Sequence, residues 1–194
     1  MQFMMHPLTP AKEFERHEPA FRDIQQYLLS IEAPKYPFAV DAALAAKGEK
    51  VFSANCAKCH GTYGEKWTYP NKVIALDEIG TDPARYRGIT EKYGKAYAES
   101  WFGKEGGAVK PIHIGEGYQA PPLDGVWATA PYLHNGSVPT LEGVLNSKAR
   151  PKRFTRSFRT GEADYDKVNV GWKTTEVPEL PASATGWERR KVYD

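Results

Sequence analysis

Cys56-Ala57-Lys58-Cys59-His60 decides how the rest of the chain is read. The spacing C-x-x-C-H is the attachment signal for a c-type haem. Two thiols three residues apart can each form a thioether to one vinyl group of a single porphyrin. The adjacent imidazole then falls beneath the ring, where it can bind the iron. Both of the chain's 2 cysteines lie in this motif. Other uses of the pair fit less well. A structural zinc site needs four Cys/His ligands in close pairs, whereas His113 and His134 are far apart in Gly/Pro-rich segments. A thioredoxin-like C-x-x-C sits at a strand-to-helix turn of a βαβ unit, and no such alternation is visible. A disulfide across two residues closes too short a loop to stabilise much. The motif predicts one covalent haem c on Cys56, Cys59 and His60.

A length of 194 residues allows one domain, or one with an appendage. The 17 glycines and 15 prolines suit a loop-rich helical fold wrapped around a cofactor. A formal charge of +2 is too near neutral to argue for nucleic acid, and no segment has the length of a transmembrane helix. The opening MQFMMHPLTPAKEFERHE lacks the charged-then-apolar pattern of a signal peptide. In bacteria covalent haem is attached outside the cytoplasmic membrane. The chain therefore reads as a piece of a longer exported protein, periplasmic or otherwise outside the cytoplasm.

Residues 1–38 read as an amino-terminal helix and linker, and 39–194 as a cytochrome c-like domain. Phe21, Ile24, Leu28 and Ile31 share one helical stripe, and Pro34 and Pro37 then stop the helix. A second helix runs from its N-cap Asp41 to Ser53, with Leu44, Gly48, Val51 and Phe52 on one face. Glycine inside a helix costs about 1 kcal/mol relative to alanine, so Gly48 predicts close approach of another helix. Asp82-Pro83 reads as an N-cap with Pro at N1. Thr90 caps a helix carrying Tyr93, Tyr97 and Trp101, and Leu141, Val144 and Leu145 mark a short one. Residues 103–139 read as a long loop around the cofactor, and the chain beyond Lys148 as basic and irregular. The expected fold class is all-α: helices wrapped around one haem.

A low-spin electron-transfer haem needs a second strong ligand, most often Met or His. Met1, Met4 and Met5 all precede the motif, so no downstream methionine is available. With His60 proximal and His6 and His17 in the appended segment, His113 and His134 remain, alongside Tyr132 or an open site. His134 lies in Ala130-Pro131-Tyr132-Leu133-His134-Asn135-Gly136-Ser137, where Pro131 stiffens the turn and Asn135-Gly136 tolerate positive φ. That stiffness favours His134 over His113, which is flanked by two isoleucines.

The run from Pro122 to Leu141, PLDGVWATAPYLHNGSVPTL, closely resembles the corresponding stretch of the bacterial di-haem cytochrome c peroxidase and MauG superfamily. It is most similar to the branch that includes the rubber oxygenases. Ala46-Lys47-Gly48, His60-Gly61-Thr62-Tyr63-Gly64, Gly80-Thr81-Asp82-Pro83-Ala84-Arg85, Arg150-Pro151-Lys152-Arg153-Phe154 and Val168-Asn169-Val170-Gly171-Trp172 agree in order, so the resemblance covers about residues 40–194. It implies the carboxy-terminal haem domain of a periplasmic protein, with His134 matching the distal ligand of a bis-histidine haem. The named enzymes carry two haem motifs, whereas this chain has one.

Arg85 is a candidate partner for a haem propionate, because arginine pairs both carboxylate oxygens. Trp127 and Tyr132 are candidates to line the pocket. Lys148, Arg150, Lys152, Arg153, Arg156 and Arg159 form a basic run that can steer an acidic redox partner. The leading expectation is a monohaem cytochrome that transfers electrons through His60 and His134, working with a redox partner protein or a second haem domain. The rival is a haem peroxidase or oxygenase with an open distal position, or the electron-transfer domain of a larger di-haem enzyme.

Overall fold

Beyond Lys148, where no helical period is legible, the chain folds into paired strands. The computed structural model describes residues 10–88, 90–99 and 117–180, with 182, 183, 185 and 192. His113 and Trp101, with the side chain of Tyr97, lie outside the described residues, as do the three methionines and the stretch 103–116 of the expected loop. In chain order the helices are α1 (Ala11–Arg16), α2 (Glu18–Ser30), α3 (Ala42–Asn55), α4 (Ala57–His60), α5 (Leu76–Ile79), α6 (Ala84–Arg87), α7 (Glu91–Glu99) and α8 (Leu141–Leu145). The strands are β1 (Val73–Ala75), β2 (Gly117–Gln119), β3 (Phe154–Arg156), β4 (Tyr165–Asp166), β5 (Gly171–Trp172) and β6 (Thr174–Glu176). They form three antiparallel ribbons: β1 with β2, β3 with β6, and β4 with β5.

The all-α expectation is therefore wrong, and the fold is mixed. The physical reason is length. Strands of two or three residues carry no readable alternation, and their pairing depends on distant partners such as Thr155 with Thr175 and Tyr165 with Trp172.

The chain divides into two compact units, one from residues up to 33 and 72–120, the other from 34–71 and 121 onward. In the first unit, Phe14 of α1 is buried at 8% exposure. The stripe on α2 stays at the surface, with Leu28 58% and Ile31 56% exposed. Asp82 accepts the Ala84 amide at 2.8 Å, although the N-cap of α6 is Pro83, one residue later than expected. Thr90 accepts the Tyr93 amide at 3.2 Å and opens α7. Tyr118 of β2 accepts the Tyr86 amide and donates to the Asp82 carbonyl, both at 3.0 Å, which ties α6 to the β1–β2 ribbon.

The second unit has its core around Val138 and Phe154, each 1% exposed, with Tyr132 and Tyr165 beside them at 7%. Asp41 caps α3 by accepting the Leu44 amide at 2.9 Å, and Thr140 caps α8 by accepting the Gly143 amide at 3.1 Å. Gly171 brings β5 against the Pro139–Thr140 backbone, where a Cβ would lie 2.2 Å from the Pro139 carbonyl oxygen. The expected helix contact at Gly48 is not found. Among the described residues nothing lies within 4 Å of where its Cβ would be, and Leu44 and Val51 beside it are 65% and 62% exposed.

Candidate haem site

Cys56 ends α3 and begins α4, its amide bonding to the Phe52 carbonyl at 2.8 Å while its own carbonyl accepts from Cys59 and His60. The two free thiols thus belong to one helical turn, and both are half-buried. Gly61 then reverses the chain at φ 84°, a backbone region that side chains disfavour. A Cβ there would lie 1.9 Å from the Thr68 carbonyl oxygen. Glycine is required because the loop after His60 folds back through a Thr62–Thr68 bridge.

The His60 ring is held by a bond that the sequence reading missed. Its Nδ1 lies 2.8 Å from the carbonyl oxygen of Pro121. A carbonyl only accepts, so Nδ1 carries a proton, and in the neutral ring Nε2 then keeps its lone pair. Metal-ligating histidines are oriented and made more basic in this way. Two free thiols on one turn, next to an imidazole with Nε2 set as the donor, form a donor set that fits a haem. Among the described residues no cluster of three or more His, Cys, Asp or Glu side chains is placed to hold a bare metal ion. A cleft of about 450 Å³ opens beside His60, lined by Tyr63, Trp67, Tyr69, Pro122 and Asp124 among others.

His134 is positioned quite differently. It sits in an irregular turn, half-buried, with its Nε2 shielded from solvent. Leu133 takes φ 64° and Gly136 φ 69° on either side of it. Gly136 is where the sequence placed such a residue, but Leu133 is not. Flanking this turn, Tyr132 and Val138 exchange backbone bonds at 2.6 and 3.4 Å. Aromatic side chains from distant segments then donate to its backbone. Tyr165 donates to the Trp127 carbonyl at 2.8 Å and Trp172 to the Ala130 carbonyl at 2.6 Å. Trp127 itself donates to the Pro34 carbonyl at 2.8 Å, and Tyr132 to the Val170 carbonyl at 3.3 Å. The rings of Tyr36, Trp127, Tyr165 and Trp172 pack edge-on with centroids 5.7 to 6.1 Å apart.

Burial dominates the electrostatics of this cluster. It pushes the Tyr132 hydroxyl well above the ordinary phenol range, with Tyr165 and Tyr36 adding to it. The Tyr165 hydroxyl is pushed up to about 12 by burial, then by Tyr36 and Asp166. Burial alone would raise Asp166, but bonds from the Asn169 amide and side chain and from the Val168 amide leave its carboxyl below the usual range.

Trp127 and Tyr132 therefore act in this packed frame, bonded to backbone. Arg85 is exposed on α6, in the first unit. Half of the basic run is engaged by partners within the chain. Arg150 donates to the Gly143 carbonyl at 2.6 Å, Arg153 lies 3.7 Å from Glu179, and Arg156 stacks over Trp172 at 5.8 Å. The residues missed by sequence reasoning are Pro121, Tyr36, Tyr63, Tyr165 and Trp172. For Pro121 the only signal was its place directly before Pro122, where the resembling run begins.

The family described as RoxA-like, cytochrome c-like matches residues 117–155, the stretch that holds the His134 turn. The chain carries a c-type cytochrome domain of the RoxA-like branch. Such a domain binds haem, and with it iron. The uncharacterized protein y4iM of Sinorhizobium fredii is 31% identical, covering 87% of this chain and 43% of that protein. The uncharacterized protein y4iJ of the same organism is 29% identical, covering 76% of this chain and 33% of that protein. The cytochrome thus spans less than half the length of either relative. No described helix is long and apolar enough to cross a membrane.

Proposed function

We propose that this chain is a monohaem electron-transfer cytochrome whose iron is held between His60 and His134. Cys56 and Cys59 would anchor the porphyrin by thioethers. The observation that carries the reading is the 2.8 Å bond from His60 Nδ1–H to the Pro121 carbonyl, which leaves Nε2 as the ligating nitrogen. When bound, the haem supplies a one-electron couple. Two imidazoles held in place by the fold would keep the reorganisation small and would close the iron to small molecules. They also donate more electron density than a Met/His pair, which lowers the reduction potential. His134 suits this role because its turn is fixed by hydrogen bonds at Trp127, Ala130 and Val138 rather than by its own flexibility.

Covalent attachment would require a location outside the cytoplasm, and we assign the protein to the periplasm. Its partner would be a redox protein or a second haem domain. Exposed Lys148, Lys152 and Arg159 are the cations left for steering an acidic surface.

The test is the absorption and EPR spectrum of the exported protein, with a haem stain after denaturing electrophoresis. A stained band and a low-spin spectrum indifferent to cyanide and carbon monoxide are expected. In His134→Ala the low-spin spectrum is lost while the stain remains. An unchanged spectrum in that variant overturns the His134 assignment, and a wild-type high-spin ferric form that binds peroxide favours a peroxidase or oxygenase instead.

A further inference from the structure

We propose that Tyr63 is a positioning residue for the His60 imidazole, acting through the segment 121–123. This rests on His60 being the proximal ligand, and it adds a residue that sets how strongly that ligand donates. The segment that accepts the His60 hydrogen bond begins Pro121-Pro122, and proline has no amide hydrogen. Leu123 is therefore the first amide with which the segment can be anchored. It donates to the Tyr63 hydroxyl oxygen at 2.7 Å. The Tyr63 ring is itself held against Phe52 of α3, with centroids 5.8 Å apart.

One short stretch after Cys59 thus grips the segment at two points, two residues apart: the His60 ring on the Pro121 carbonyl and the Tyr63 hydroxyl on the Leu123 amide. The Gly61 reversal is what lets both side chains reach the same segment. Releasing the Leu123 amide lets the Pro121 carbonyl drift from Nδ1–H. A weaker bond there makes Nε2 a poorer donor, and a ligated iron becomes easier to reduce.

The experiment compares wild type, Tyr63→Phe and Ser30→Ala. Tyr63→Phe keeps the ring on Phe52 and removes only the oxygen. Ser30→Ala removes a hydroxyl that donates to the Tyr27 carbonyl at 2.7 Å on exposed α2. Two readouts are taken: solvent exchange of the His60 Nδ1–H by NMR, and the reduction potential. Tyr63→Phe is expected to speed exchange several-fold and raise the potential, with Ser30→Ala leaving both unchanged. Equal exchange in Tyr63→Phe and wild type overturns the proposal, as does an equal shift in Ser30→Ala. The exchange readout needs only the hydrogen bond and not the iron. A wild-type spectrum without histidine ligation would sink the functional reading, while the exchange comparison would still decide the role of Tyr63.

Discussion

His60 and His134 are held in place by opposite means. His60 ends a helical turn, and most of what orients it lies within about a dozen residues: the Cys56 carbonyl, the Gly61 reversal and the Thr62–Thr68 bridge. Among the described residues only the bond to Pro121 comes from far away. His134 has no helix behind it. Its turn is held by Tyr165 and Trp172, which donate across 38 and 42 residues of sequence, and by Tyr132 bonding to Val170. One histidine is held locally and tightly, and the other by tertiary packing. The first should resist damage elsewhere in the protein, whereas the second should report it.

The largest expected effect breaks the local side. In Gly61→Ala the new methyl meets the Thr68 carbonyl oxygen at 1.9 Å in a backbone region with φ 84°. Strain of this kind, together with the clash, costs about 3 kcal/mol or more. Thermal melts of the holoprotein should show the loss, and a melt within a degree of wild type would mean that the turn is not rigid. A smaller effect is expected on the assembled side. Trp172→Phe removes the 2.6 Å bond to the Ala130 carbonyl and leaves that acceptor without it, at a cost of about 1–3 kcal/mol. Under the proposed bis-histidine ligation, denaturant titration followed at the haem absorption should then show the His134 signature lost before that of His60. Simultaneous loss of both would erase the contrast.

The smallest effect is a pH dependence. The Tyr132 and Tyr165 hydroxyls are raised in the folded state, the latter to about 12. Below pH 10 both states keep the proton, and the native preference is intact. Between about pH 10 and 12 the unfolded chain ionises first, so stability falls as the pH rises through that window. Melting temperatures taken across it check the sign. A Tyr165→Phe variant with the same alkaline slope would place the effect on another group.

What could be read from the sequence follows the same division. The Cys56–His60 motif, the Asp41 cap of α3, the Thr90 cap of α7 and the short helix at Leu141 were legible because each depends on near neighbours. The three ribbons and the aromatic frame were not. Phe154, Tyr165 and Trp172 lie in stretches too short for a period, and their partners are chosen by distant chain. The His134 turn was reached through the stiffness of Pro131 and Gly136, but nothing local announced Leu133 at positive φ. Gly48 suggested a helix contact that does not occur among the described residues, because a glycine records tolerance of close approach and not the approach itself.

The aromatic frame around the His134 turn also makes the chain its own optical reporter. Trp127 and Trp172 are packed among Tyr36 and Tyr165 with their indole N–H groups on backbone carbonyls, whereas Trp67 stands 70% exposed on the loop after His60. The packed indoles emit at shorter wavelength than the solvated one, and any of them close to a bound porphyrin is dimmed by energy transfer. Loosening of the frame would redden and brighten the first two, and movement of the loop after His60 would register in the third.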